Sequence, residues 1–158
     1  LTGGAGRHIR RELAAGILTG DGTAGGKGEN GGMDDGQTTI AELRAAVGAF
    51  VQERAWEKYH TPKNLAMSVA IEAAELMEHF QWLTPEEARQ AVQDPQELSA
   101  VAAEIADVAA YLFALCNVLG VDLSTAVQAK LERNRQRYPV ESCYGEYRRQ
   151  MKTQGEPG

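Results

Sequence analysis

The stretch Ile71-Glu72-Ala73-Ala74-Glu75-Leu76 decides how this chain is read, together with its downstream counterpart Ala103-Glu104-Ile105-Ala106-Asp107-Val108. Each places two carboxylates three residues apart inside a run that otherwise reads as buried helix. Residues at i and i+3 share one helical face. In the first run that face continues through Leu65, Val69 and Leu76, and in the second through Val101, Val108 and Leu112. Like charges side by side are costly in water and far more so when desolvated. Any single Glu-x-x-Glu pair can be solvated surface. Recurrence on two consecutive apolar helices favours a shared site in which a hard divalent cation with oxygen ligands neutralises the acids.

Working outward, the chain punctuates itself as helices. Thr39-Ile40-Ala41-Glu42 has the capping-box form, and Ile40, Leu43, Val47 and Phe50 recur at helical spacing, which predicts a first helix to about Glu57. Thr61-Pro62 opens a second helix through about Trp82. Thr84-Pro85-Glu86-Glu87 caps a short third helix, and Asp94-Pro95-Gln96-Glu97 repeats the device for a long helix ending at Gly120. Asp122 or Ser124 caps the last long helix, which directs Leu123, Val127 and Leu131 inward and ends near Tyr138-Pro139. No strand pattern is present. The expected fold is all-α, a four-helix bundle with short links that buries further surface by pairing with a copy of itself.

Three segments are expected: a disordered Gly-rich leader over 1–37, a helical domain over 38–140 and a flexible tail over 141–158. Gly25-Gly26-Lys27-Gly28 in the leader lacks the Gly-Lys-Ser/Thr ending of a phosphate loop. With 158 residues the chain has room for one domain, and its net charge of -6 argues against a nucleic-acid scaffold. No apolar run approaches the roughly 18–20 residues of a membrane span. Cys116 reads as core and Cys143 as tail, with neither a disulfide framework nor a zinc set, so a reducing, cytoplasmic setting is the default.

The four acids suit Mg2+ shared with a polyphosphate, with water oriented by the metal or by one acid for attack on phosphorus. Positive and polar groups for such a substrate exist on the last helix, where Lys130 and Asn134 are i and i+4 and Arg133 and Arg137 lie nearby. A solvated basic face is the alternative there. Trp56 and Tyr59 read either as packing aromatics or as a surface on which a flat ring stacks. A di-iron bundle would need Glu-x-x-His on two helices. Here His79 follows Leu76 at that spacing, and the second acid pair has no His.

These stretches together resemble the MazG-like nucleoside triphosphate pyrophosphohydrolases, and among them the dCTP pyrophosphatase branch. The resemblance is carried by Glu53 to His60, Pro62-Lys63-Asn64-Leu65, Glu72-Ala73-Ala74-Glu75-Leu76 through Phe80-Gln81-Trp82, Glu104 to Val108 with Tyr111-Leu112, and Val121-Asp122-Leu123 with Lys130, Asn134-Arg135 and Arg137-Tyr138-Pro139. It spans about 40–140 and leaves the leader unexplained. It implies Mg2+-dependent cleavage of a nucleoside triphosphate, dCTP or a modified dCTP, between the α and β phosphates in nucleotide-pool house-cleaning. By position, it implies metal ligation and catalysis at Glu72, Glu75, Glu104 and Asp107. It implies a base and sugar pocket from Trp56, His60, Trp82 and Tyr111, and phosphate contacts from Lys130 and Asn134 in a homodimer or homotetramer. Relatives in this branch often carry His about two turns before the Trp; Val47 stands there instead, which bears on base preference. The competing functions are a non-catalytic helical bundle that binds a nucleotide or protein, and a dUTP-hydrolysing relative.

Overall fold

A computed structural model describes residues 32–145, and every regular element among them is helical. In chain order these are α1 (Ile40–Glu53), a 3-10 turn (Glu57–Tyr59), α2 (Pro62–Glu78), α3 (Pro85–Ala91), α4 (Pro95–Leu119), α5 (Leu123–Arg137) and α6 (Val140–Cys143). The expected leader and its glycine-rich Gly25–Gly28 segment lie outside the described residues apart from 32–37, as does the tail from 146 onward. Residues 34–38 form a turn in which the Thr38 and Gln37 N–H groups donate to the Asp34 carbonyl. The chain divides into two compact units, one through Gly120 and one from Val121. Helices α1 to α4 belong to the first, α5 and α6 to the second.

The starts of the helices follow their side chains. Thr39 and Thr84 each accept from the N–H three residues on, at 3.2 Å and 3.3 Å, while Glu42 and Glu87 return to the Thr backbone N–H at 2.7 Å and 2.8 Å. Both glutamates are held below the usual carboxylate range, first by the bond from the Thr backbone N–H and then by the Thr hydroxyl. Thr61 caps α2 through the Asn64 N–H, and Asp122, rather than Ser124, caps α5 through the Thr125 N–H. Asp94 caps α4 through the Gln96 N–H, but Glu97 does not close the box. Its carboxylate instead meets His79 Nδ1 at 2.6 Å, tying the end of α2 to the start of α4.

Other boundaries depart from the sequence reading. Helix α1 stops at Glu53 because Ala55 adopts φ +50°, a left-handed conformation that no glycine marks. The Trp56 N–H then donates to Val51 O and the Ala55 N–H to Gln52 O, the two bonds of a Schellman ending. Helix α2 ends at Glu78, four residues before Trp82. Beyond Pro139, where fraying was expected, the chain forms the four-residue α6. At Gly120 the expected left-handed cap is present, with φ +63°.

In the first unit the most extensive packing is α2 on α4, followed by α1 on α4. Its buried apolar residues are Leu65, Val101, Ala114 and Cys116, and buried beside them are the acids Glu72 and Asp107. Of the expected inward residues, Val69, Leu76 and Val108 are half-buried, whereas Leu112 is exposed. In the second unit Val127 and Leu131, also expected inward, are each 48% exposed. The described residues of their own unit, a helix and one further turn, supply no layer to cover them. Contrary to the run-length expectation, the 25-residue α4 is long and apolar enough to cross a membrane by length and composition, with mean hydropathy 1.7 over its best window. It nevertheless carries Glu97, Glu104 and Asp107, and packs against α1 and α2.

Leu65 is 2% exposed, so Leu65→Ala is expected to destabilise the protein by about 2–5 kcal/mol through lost burial and a cavity. Gly120→Ala meets no atom within 4 Å yet must hold φ +63°, and is expected to cost about 1 kcal/mol. Chemical denaturation of both variants checks the pair.

Candidate functional site

The acid pairs meet because α2 packs on α4. One carboxylate oxygen from each of Glu72, Glu104 and Asp107 lies within 4.8 Å of the others. Glu72 is 7% and Asp107 4% exposed, and Glu104 is half-buried. Glu75, also half-buried, falls outside this group of three but is close enough for its charge to act on Asp107. Burial raises the Asp107 pKa above its ordinary value, and the charges of Glu104 and Glu75 push it in the same direction. Desolvation and neighbouring like charges both favour the protonated form of this acid.

The donor set is all carboxylate, with no sulfur or imidazole in the group. Hard oxygen donors suit Mg2+, Mn2+ or Ca2+ rather than thiophilic metals. His79, considered above for an iron site, is engaged with Glu97. The cluster is therefore a place where a divalent cation would be held by Glu72, Glu104 and Asp107.

A cavity of about 220 Å³ lies between α1, the 3-10 turn and the C-terminal half of α4. Val47, Val51, Ala114 and Val118 give it apolar walls, and Glu57, His60 and Asn117 supply its polar groups. Ala114 and Val118 are seven and eleven residues after Asp107, so they continue the face of α4 that carries that acid. Seven residues of helix span about 10 Å.

The remaining sequence-predicted residues are distributed unevenly. His60 lines the cavity, its Nδ1 2.9 Å from the Trp56 carbonyl. Trp56 does not line it; the indole packs edge-on against Phe50, centroids 5.9 Å apart, with the Arg54 guanidinium 3.6 Å from the Phe50 ring centre. Trp82 is 86% exposed in the turn after α2 and does not line this cavity. Tyr111 is half-buried on α4, one turn beyond Asp107 on the same face. Lys130 and Asn134 lie one turn apart on α5, in the second unit.

Sequence reasoning missed Asn117, Glu57 and Gly48 as cavity residues. A polar Asn in the otherwise apolar Ala114-Leu115-Cys116-Asn117-Val118-Leu119 was the available signal. Its partner Arg44, 73 positions away, was not.

Comparison with known proteins agrees with this architecture. The sequence profile of the MazG-like family matches residues 67–148. A protein named dCTP pyrophosphatase 1 from Rattus norvegicus is 37% identical over 126 residues, covering 73% of this chain and 74% of the relative. Its Homo sapiens namesake is 38% identical over 128 residues, covering 74% and 75%. The crystal structure of a pyrophosphatase from Archaeoglobus fulgidus superposes with a TM-score of 0.61 at 39% identity, covering 68% of this chain and 99% of that one. An all-helical chain with paired acids on two packed helices, matched over these lengths, defines the class. The chain belongs to the MazG-like family.

The raised Asp107 pKa has a stability consequence with a definite sign. A folded-state pKa above the unfolded value contributes stability that is present below about pH 4 and is lost as pH rises through the folded value. The metal-free protein is therefore expected to lose stability on going from mildly acid to neutral pH. Asp107→Asn should flatten that dependence and raise the neutral-pH Tm of metal-free protein, at about 2–8 °C per kcal/mol. Thermal melts with a chelator between pH 4.5 and 7.5 provide the measurement.

Proposed function

We propose that this protein is a nucleoside triphosphate pyrophosphohydrolase that cleaves dCTP or a modified dCTP between the α and β phosphates. The products are the nucleoside monophosphate and pyrophosphate, with one water consumed. The enzyme class is supported by family membership and by relatives named dCTP pyrophosphatase 1. The observation that carries the mechanism is the convergence of Glu72, Glu104 and Asp107 within 4.8 Å, beneath the influence of Glu75.

The proposed cation is Mg2+, held by Glu72, Glu104 and Asp107 with Glu75 at the edge of the site. When bound, it supplies the positive charge that a triphosphate and the carboxylates both require. The chain's own groups do the rest. The acids are fixed on two packed helices, so they are positioned before substrate arrives. Whichever carboxylate oxygen remains off the ion is placed to accept a proton from water. The cavity beside Ala114 takes the base, at a spacing along α4 suited to the body of a nucleotide. We assign phosphate contacts to Lys130 and Asn134, and further walls of the base and sugar site to Trp56, Trp82 and Tyr111.

We further propose that the chain works as a homodimer or dimer of dimers. Met67, Met77 and Ile105 are each more than half exposed on the first unit, and Val127 and Leu131 nearly half exposed on α5. Such surface is what a second copy would cover. Sedimentation velocity yielding a lone monomer at micromolar concentration would remove this part.

The decisive experiment is a screen of the canonical and several modified triphosphates with Mg2+, reading pyrophosphate release. Turnover of dCTP is expected to exceed that of other substrates. Glu72→Gln or Asp107→Asn is expected to lower kcat by at least about 100-fold, as loss of a direct ligand should exceed typical losses from groups that support one. A preference for dUTP would correct the substrate, whereas absence of any turnover would favour a binding bundle in which the acids are structural. Mg2+ together with a non-hydrolysable dCTP analogue should raise Tm by mass action, stabilising the folded state by about 2.7 kcal/mol at a hundredfold excess over Kd.

A further inference from the structure

The 220 Å³ cavity has a fixed pattern of donors and acceptors, set by residues outside it. The Trp56 carbonyl, 2.9 Å from His60 Nδ1, can only accept. Nδ1 must then carry the proton in a neutral ring, and Nε2 is left as an acceptor with no partner among the described residues. Asn117 is fixed just as firmly. Its Oδ1 receives the Arg44 Nε–H at 2.9 Å, and its Nδ2 donates to the Arg44 carbonyl at 2.9 Å. Flipping the amide would set donor against donor and acceptor against acceptor. One Nδ2–H therefore remains, with no partner among the described residues. The Glu57 carboxylate adds a second acceptor, and Val47 adds no polar atom.

The residues lining the cavity thus carry two acceptors and one donor among apolar side chains. An exocyclic amino group has two N–H bonds to give, and the ring nitrogen beside it has a lone pair. A base with a carbonyl in place of the amino group turns an oxygen toward acceptors and leaves them unpaired, which is costly in a largely apolar site.

We infer that Asn117, oriented by Arg44, and His60, oriented by the Trp56 carbonyl, select a base bearing an exocyclic amino group next to an unprotonated ring nitrogen. Cytosine and adenine both have this pattern. Asn117 and His60 are the specificity-determining residues, and Arg44 is a positioning residue acting through Asn117. This inference rests on the pyrophosphohydrolase reading.

The test uses the full chain with Mg2+ and compares kcat/KM for dCTP, dATP, dUTP and dTTP. The wild type is expected to favour an amino-bearing base over dUTP and dTTP by tenfold or more, and the dCTP and dATP arms identify which one. Asn117→Asp keeps an oxygen for Arg44 Nε but replaces the donor with an acceptor. It is expected to shrink the amino-to-keto ratio at least tenfold. Arg44→Ala removes the Nε–H that Asn117 Oδ1 accepts but keeps the backbone carbonyl that Nδ2 meets, so it loosens the amide without reversing it. It is expected to shrink the ratio in the same direction, by less than Asn117→Asp does and through KM, with kcat for dUTP little changed. If Asn117→Asp does not fold, Arg44→Ala decides. A wild type that favours keto bases, or variants that hydrolyse both classes at the wild-type ratio, overturns the inference while leaving the pyrophosphohydrolase reading standing. A wild type that turns over no triphosphate refutes that reading itself, and this inference with it.

Discussion

The contact on which this molecule depends is a repulsive one. Helices α2 and α4 pack together with Glu72, Glu104 and Asp107 between them, so the interface that supplies the buried apolar residues also gathers like charges. Helix dipoles do not relieve the conflict, because their effect fades within the first turn. Glu72 stands eleven residues past its cap at Thr61, and Glu104 ten past its cap at Asp94. Protons relieve it, as the raised Asp107 pKa indicates, and a cation would do so as well. A site that takes up either one is less stable empty at neutral pH than an apolar interface of the same shape would be. Evolution tolerates such a cost where function requires it.

Much of this was legible because it is local. Threonine and aspartate caps, prolines at first helical positions and Gly120 each act over a few residues, so the starts of α1 to α5 and the end of α4 follow from spelling. The acids were legible for the same reason: an i, i+3 pair in an apolar run has one facing direction. What failed was either conformational or distant. No residue type announces that Ala55 will turn left-handed, yet that turn ends α1 early and swings Trp56 and His60 into place. Glu97 has the spelling of a capping-box residue, but His79 lies close enough in space to claim it. The Arg44–Asn117 pair joins positions 73 apart and depends wholly on how α1 lies against α4.

The exposed faces follow another logic. Val127 and Leu131 have the spacing of an inward stripe, but inwardness needs a second layer, and the described residues of their unit form α5 and a single further turn. Trp82 sits likewise in the open on the turn after α2. Helical periodicity specifies which residues share a face; it does not specify whether the same chain or a copy covers that face.

Helix α4 is the common element of the two candidate functions, and its partners divide them. Toward α2 it presents Glu104 and Asp107, and toward α1 it presents Ala114, Asn117 and Val118. The same face carries both along the helix axis, separated by about two turns. A rigid 25-residue helix therefore fixes the distance between the cation site and the cavity, while α1 and α2 contribute separately to each. Changes on α1, at Val47 for example, would alter the walls and polar pattern of the cavity without disturbing the carboxylates. Changes on α2 do the reverse. This division lets one scaffold keep a demanding arrangement of charges while the group it reads at the other end varies, because the two sites share a ruler and little else.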